Sequence, residues 1–226
     1  MLSNEELKQI YGEAYVESFK NKPLQRLIRI LDYIKVERTS TVVDFACGNA
    51  MLMELIAPKV KSYTGVDFSD SFIKASNIKK ESLSINNAEF FCSDINEFCQ
   101  HHPNFFDVGF AMDFSEHVYD AEWLQILKNI RTSLKKNGKL YLHTPNAEFF
   151  LEKMKSKNLV VKQLHGHIAV RTPEHNATLL REAGFNITHT WLISHYNNAL
   201  KIVHPLSFLP VIGKFFKARI LIEATT

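Results

Sequence analysis

Strand-like and helix-like patterns alternate five times between Thr41 and His143, and this regularity narrows the fold more than any other feature of the chain. Runs of β-branched and aromatic residues fall at 41–43, 62–66, 88–92, 105–111 and 139–143, with helix-spaced apolar residues between them. The fourth run, FFDVGFA, is almost wholly apolar. Such a run suits a strand buried on both faces of a parallel sheet. The alternation therefore predicts an α/β fold, a doubly wound and mostly parallel sheet with right-handed crossovers.

Helix signals fill the gaps. Leu7, Ile10, Tyr11, Ala14, Tyr15 and Phe19 predict an amphipathic first helix, broken at Lys22-Pro23, and Leu24, Leu27, Ile28, Leu31 and Ile34 predict a second. Both suit either packing on the core or a lid over a site. A helix over 51–57 should stop at Pro58, and a long one from Asp120 through Leu134 should end at Asn137-Gly138. Beyond Thr144 the pattern loosens into a short helix at 149–154 and an irregular piece carrying His165 and His167. Thr172-Pro173 then reads as an N-cap with proline in the first turn, and Gly184 as the stop. Strands at 185–194 and 218–224 bring the total to seven, and their separation allows the last to run antiparallel.

With 226 residues, 46% of them apolar, the chain can fill the core of one α/β domain. A net charge of +3 is too mild to argue for nucleic acid. Cys47, Cys92 and Cys99 form no CxxC pair or even disulfide set, and residues 1–22 carry no apolar signal core. A reduced, cytoplasmic compartment is the expectation, as a monomer or homodimer.

The first turn, in TVVDFACGNA, is the natural place for a ligand. Ala46, Cys47, Gly48 and Ala50 leave the backbone amides uncovered just before a helix begins. The same small residues also suit a simple packing corner. Asp67 ends the second strand 19 residues past Gly48, where a carboxylate can accept hydrogen bonds from a ribose. Ser69 and Asp70 can cap the following helix, which leaves Asp67 for that task. The turn lacks the G-x-G-x-x-G spacing that seats a pyrophosphate, which disfavours a nicotinamide cofactor.

VVDFACGNA, YTGVDFS, FFCSDI, FDVGFAMDFSEHV and GKLYLHTPN resemble, in order, the successive motifs of class I S-adenosylmethionine-dependent methyltransferases. Glu116-His117-Val118 before a long helix is similar to the branch containing ubiquinone-biosynthesis O-methyltransferases. The resemblance implies a Rossmann-like seven-stranded sheet and S-adenosylmethionine as cofactor, with S-adenosylhomocysteine as product. Asp44, Ala46, Cys47 and Gly48 would then lie around its methionine part, and Asp67 would hold the ribose. Phe68 would flank the adenine, Asp94 and Ile95 would bind its edge, and Met112 and Asp113 would border the sulfonium. The family turn has three glycines, and here Ala46 and Ala50 replace the first and third.

On this reading residues 1–226 form one domain: a helical lid at 1–38, a cofactor-binding half at 39–146 and a substrate-side half at 147–226. The expected reaction is methyl transfer to a small, apolar or lipid-linked acceptor at oxygen. A degenerate fold serving as a binding or regulatory protein is the alternative. His117, His165 and His167 are the candidate bases, because histidine exchanges protons near neutral pH. The resemblance also suggests a divalent metal at Glu116 and His117, but two adjacent ligand types do not define a site, so no metal is assigned.

The insertion at 196–217 stands apart in charge. No acidic residue occurs from Gly184 to Ile222, while Lys201, Lys214, Lys217 and Arg219 surround Leu206, Phe208, Leu209, Val211 and Ile212. Residues 201–219 suit an anionic membrane surface or a cover for an apolar substrate, and equally a packed helix or a dimer contact. Pro205 and Pro210 argue against one continuous helix.

Overall fold

A computed structural model of the chain describes residues 24–156, 167–194 and 205–226. The amphipathic helix expected before Lys22, His165 and the first part of the insertion lie outside the described residues. The described strands are β1 (Thr41–Phe45), β2 (Ser62–Asp67), β3 (Ala88–Cys92), β4 (Phe106–Met112), β5 (Leu134–Pro145), β6 (Asn186–Ser194) and β7 (Lys217–Thr225). They form one seven-stranded sheet in the order β3-β2-β1-β4-β5-β7-β6. β1 and β2 pair in parallel, as do β2 and β3, whereas β7 runs antiparallel to both of its neighbours. Sequence order reverses at β1, which is the kind of switch point where open α/β sheets place ligands at their carboxyl ends.

The helices are α1 (Gln25–Ile28), α2 (Met53–Ile56), α3 (Asp70–Ser82), α4 (Ile95–His101), α5 (Asp120–Ser133), α6 (Phe150–Ser156) and α7 (Pro173–Glu182). Trp123, Tyr63, Tyr141, Phe45, Phe106 and Phe110 are the largest fully buried side chains. Each contributes on the order of 2 kcal/mol by leaving water. The chain divides into two compact units, one of Met1–Phe110 with Thr132–Gly138 and one of Ala111–Arg131 with Lys139–Thr226.

Three boundaries differ from the sequence expectation. α5 ends at Ser133, and Asn137-Gly138 lies inside β5, with Asn137 in the left-handed region at φ 62°. The helix is intercepted early because the amides of Asn104 and Phe105 take the carbonyls of Thr132 and Ser133. Lys135 then binds both carboxylate oxygens of Asp107 on β4 at 2.8 and 2.9 Å, so sheet contacts override the helical pattern. In the second case, the helix expected over 51–57 is regular only through α2, and continues as a 3-10 turn, Ala57–Lys59, that takes in Pro58. The pattern at Leu24–Ile34 yields only the four residues of α1 and a 3-10 turn, Leu31–Tyr33. α7 follows the expectation: Thr172 Oγ1 accepts the His175 amide, and Gly184 ends the helix at φ 90°.

Candidate functional site

In the first unit the β1 turn is built by three successive left-handed residues at alternate positions. Ala46, Gly48 and Ala50 have φ of 56°, 54° and 54°. Glycine enters this region freely, whereas an L-residue with a Cβ is strained there by about 1–2 kcal/mol. The backbone geometry thus explains why a turn of this kind favours glycine at all three places, and the two alanines keep the turn at a cost.

Asp67 ties this turn to β2. One carboxylate oxygen accepts the Gly48 amide at 3.0 Å and the other the Ser69 amide at 2.9 Å. Ser69 also caps α3, as expected, by accepting the Phe72 amide. Burial raises Asp67 to about 6, although the two amides act to lower it. Each oxygen retains acceptor capacity for a ligand hydroxyl. Ser76, fully buried on α3, donates to the Gly48 carbonyl at 2.9 Å, a role that its polar character on an apolar helix face could have signalled. Gly65 on β2 allows close packing, since a Cβ there would stand 2.5 Å from Phe90 and 2.9 Å from the Cys47 sulfur.

The other first-unit candidates fall around the same strand ends. Asp44 is buried and accepts the Tyr63 hydroxyl proton, and desolvation raises it to about 7. Burial likewise pushes the Cys47 thiol well above its ordinary range, which removes it as a nucleophile. Phe68 is 36% exposed, as a residue offering a ring face to a ligand must be. Asp94 is the N-cap of α4 and accepts the Asn96 and Glu97 amides through one oxygen, while Ile95 is buried beside it.

The second unit gathers a different set. Asp113 follows Met112, the last residue of β4, and turns the chain at φ 53°. Its amide binds the His143 carbonyl at 2.8 Å, and its carboxylate receives Arg219 of β7 at 3.1 Å. His143 Nδ1 lies 2.9 Å from the same carboxylate but without hydrogen-bond geometry. Glu116 is buried and accepts the Thr144 hydroxyl proton at 3.0 Å. Desolvation, then the neighbouring Asp113 carboxylate, push its carboxyl well above the usual range.

His117 and His167 meet edge to face with ring centroids 5.1 Å apart. Folding thereby brings together two of the three candidate bases, and His165 lies outside the described residues. Burial, followed by His117, lowers His167 to about 4, so its imidazole is neutral at physiological pH. The donor atoms of Glu116, His117 and His167 all lie within 4.8 Å of one another, so His167 supplies the third ligand that the sequence could not assign. A carboxylate with two imidazoles is a donor set that first-row divalent metals accept.

Arg171 holds this loop in place, and sequence reasoning missed it. Its buried guanidinium donates to the carbonyls of Ser115 and Val118, both at 2.6 Å, and to Asp120 at 2.7 Å. The Ile168 and Ala169 amides bind the Glu116 carbonyl from the same segment.

The fold is that of class I methyltransferases: a solved S-adenosylmethionine-dependent methyltransferase from Archaeoglobus fulgidus superposes with a TM-score of 0.68, at 18% identity over 94% of this chain and 98% of that one. The 4+2 cyclase SpnF shares it with a TM-score of 0.66, at 14% identity over 89% of this chain and 80% of its own. The methyltransferase domain family matches residues 15–190, and the chain belongs to this family of class I S-adenosylmethionine-dependent methyltransferases. A ubiquinone biosynthesis O-methyltransferase of Coxiella burnetii is 33% identical over 134 residues, which are 58% of this chain and 56% of the relative. The chain therefore matches just over half the length of that relative. Among the described residues no helix is long and apolar enough to cross a membrane.

Proposed function

We propose that the protein binds S-adenosylmethionine in its first unit and transfers the methyl group to a small, apolar or lipid-linked acceptor, at oxygen. The observation that carries this reading is the turn of three left-handed residues fastened to Asp67 through the Gly48 amide. The Asp67 carboxylate accepts ribose hydroxyls, the small-residue turn, whose Cys47, Gly48 and Ala50 amides are already bonded within the protein, packs against the methionine part, and Phe68, Asp94 and Ile95 surround the adenine. Oxygen as the accepting atom is supported by the likeness to the ubiquinone biosynthesis O-methyltransferase of Coxiella burnetii.

Methyl transfer is a displacement on a cofactor that already carries its leaving group, so the protein mainly positions the reactants. An acceptor hydroxyl must lose its proton. His117 is the base in this reading, because a His167 held near 4 binds a proton too weakly at neutral pH. With a divalent cation bound instead, Glu116, His117 and His167 would be its ligands, and the cation would polarise the acceptor oxygen in place of His117 acting as the base. Metal analysis of the purified protein and of a His167→Ala variant checks that role: equal metal content in both would remove it.

Titration calorimetry with S-adenosylhomocysteine tests the central claim. Micromolar binding is expected, weakened about 10–100-fold in Asp67→Ala, equivalent to the loss of about one charge-assisted hydrogen bond. Absence of binding to the wild-type protein would overturn it. The strained Ala46 and Ala50 favour a second reading, in which the fold retains the cofactor but serves as a binding or regulatory protein. Retained S-adenosylhomocysteine binding without turnover across a panel of phenolic acceptors would support that second reading.

A further inference from the structure

Residues 205–213 form a knuckle between the sixth and seventh strands that presents apolar side chains outward. Phe208 is 74% exposed and Val211 86%, with Leu206, Leu209 and Ile212 between 39% and 46%. Scattered exposed apolar residues are ordinary, but five within seven positions make a contiguous patch that water disfavours. Val211 is also left-handed at φ 66°, a conformation that a β-branched residue rarely adopts. The chain thus accepts backbone strain at the most exposed residue of the patch.

The backbone of the knuckle closes on itself. The Leu209 amide binds the Leu206 carbonyl, Gly213 binds Leu209, Ile212 binds Pro210 and Phe215 binds Ile212. Gly213 makes this turn possible, since a Cβ would stand 2.6 Å from the Ser207 carbonyl oxygen. Pro205 and Pro210 carry no amide proton at all. Each amide bonded or removed in this way is one fewer that must give up water when a segment enters a less polar medium.

Charge narrows the occupant. Lys217 lies over the Phe208 ring at 5.1 Å, and Lys153 and Lys214 lie over Phe215 at 4.4 and 5.4 Å. Glu148, which meets this face, is neutralised by Lys214 at 2.8 Å. The stretch from Gly184 to Ile222 holds no carboxylate of its own. An apolar tip with cations at its base matches an anionic lipid surface, with acyl chains beneath and phosphates at the height of the lysines.

We propose that residues 205–213 dock the protein onto anionic bilayers by inserting Phe208 and Val211 below the headgroups while Lys153 and Lys217 face the lipid phosphates. The test is co-sedimentation of the full chain with phosphatidylcholine vesicles, with and without phosphatidylglycerol, for the wild type and for Phe208→Glu/Val211→Glu. Both side chains are exposed, so the variant should fold, which circular dichroism and thermal unfolding verify. The wild type should sediment with phosphatidylglycerol vesicles and be released by salt, and the variant should bind at least about tenfold more weakly. No sedimentation of the wild type, or equal sedimentation of both proteins, would overturn the proposal. So would a wild-type dimer that the double substitution dissociates without any vesicle binding, since the patch would then be a contact between two copies. No cofactor enters the measurement, so its outcome is separate from that of the methyl-transfer reading.

Discussion

In the first unit the bond that fastens the candidate cofactor turn joins Gly48 to Asp67, 19 residues apart across one strand-helix-strand step. In the second unit Arg219 reaches Asp113 across 106 residues, and Arg171 reaches Ser115 across 56. The first arrangement uses main-chain amides and local turns, and a short stretch of chain dictates it. The second uses long side chains from late elements to hold a loop that has little regular structure of its own. A site made of backbone tolerates change in side chains if the turn survives, whereas a site made of side chains depends on each one.

Four substitutions probe this contrast, and the largest effect belongs to the second unit. Arg171→Met leaves the Ser115 and Val118 carbonyls without their charged donor in a buried setting, and should lower the unfolding free energy by about 3 kcal/mol. Urea denaturation measures this, and a loss below about 1 kcal/mol would show that the loop holds itself, erasing the contrast between the units.

Next comes pH dependence in the first unit. Asp67 must be ionised to accept from a ribose as well as from two amides, and its folded value is about 6. Affinity for S-adenosylhomocysteine should therefore fall as pH drops through that value, approaching about tenfold per unit below it. Asp67→Asn should abolish the dependence. The linkage to stability has the opposite sign. A carboxyl raised on folding from 3.8 to about 6 makes the ligand-free fold less stable as pH rises through that window, and the loss is complete above it.

The smallest effects concern the turn. Ala46→Gly should relieve left-handed strain and stabilise the fold by up to about 1 kcal/mol, after the entropy that glycine costs. Ala50 is fully buried, so Ala50→Gly trades the same relief against a methyl-sized void of about 1 kcal/mol and should come out near neutral. Destabilisation by Ala46→Gly would mean that its methyl group packs rather than strains.

The same contrast explains what the sequence made legible. The parallel strands around β1, the Asp67 position and the Ser69 cap could be read because each depends on neighbours within one crossover. The left-handed φ at 46, 48 and 50 was implicit in the small residues, but no pattern separates a strained alanine from a comfortable one. The early end of α5 was hidden, because Asn104, Phe105 and Asp107 decide it from another strand. Arg171, Arg219, Thr144 and His143 were invisible as site residues for the same reason. Nothing near them in the chain marks them, and only the packing of β5, β7 and the segment before α7 against the loop after β4 makes them meet.

The position of β7 bears on how the protein is made. β5 and β6 both hydrogen-bond to β7 along its length, so of these three strands the one made after the other two is the one in the middle. As the chain leaves the ribosome, β5 and β6 must wait as open edges until Lys217–Thr225 emerges to zip between them. Arg219 arrives with that strand. The Asp113–Arg219 pair of the second unit therefore cannot form until β7 is made, whereas Gly48 and Asp67 of the first are joined within one early crossover.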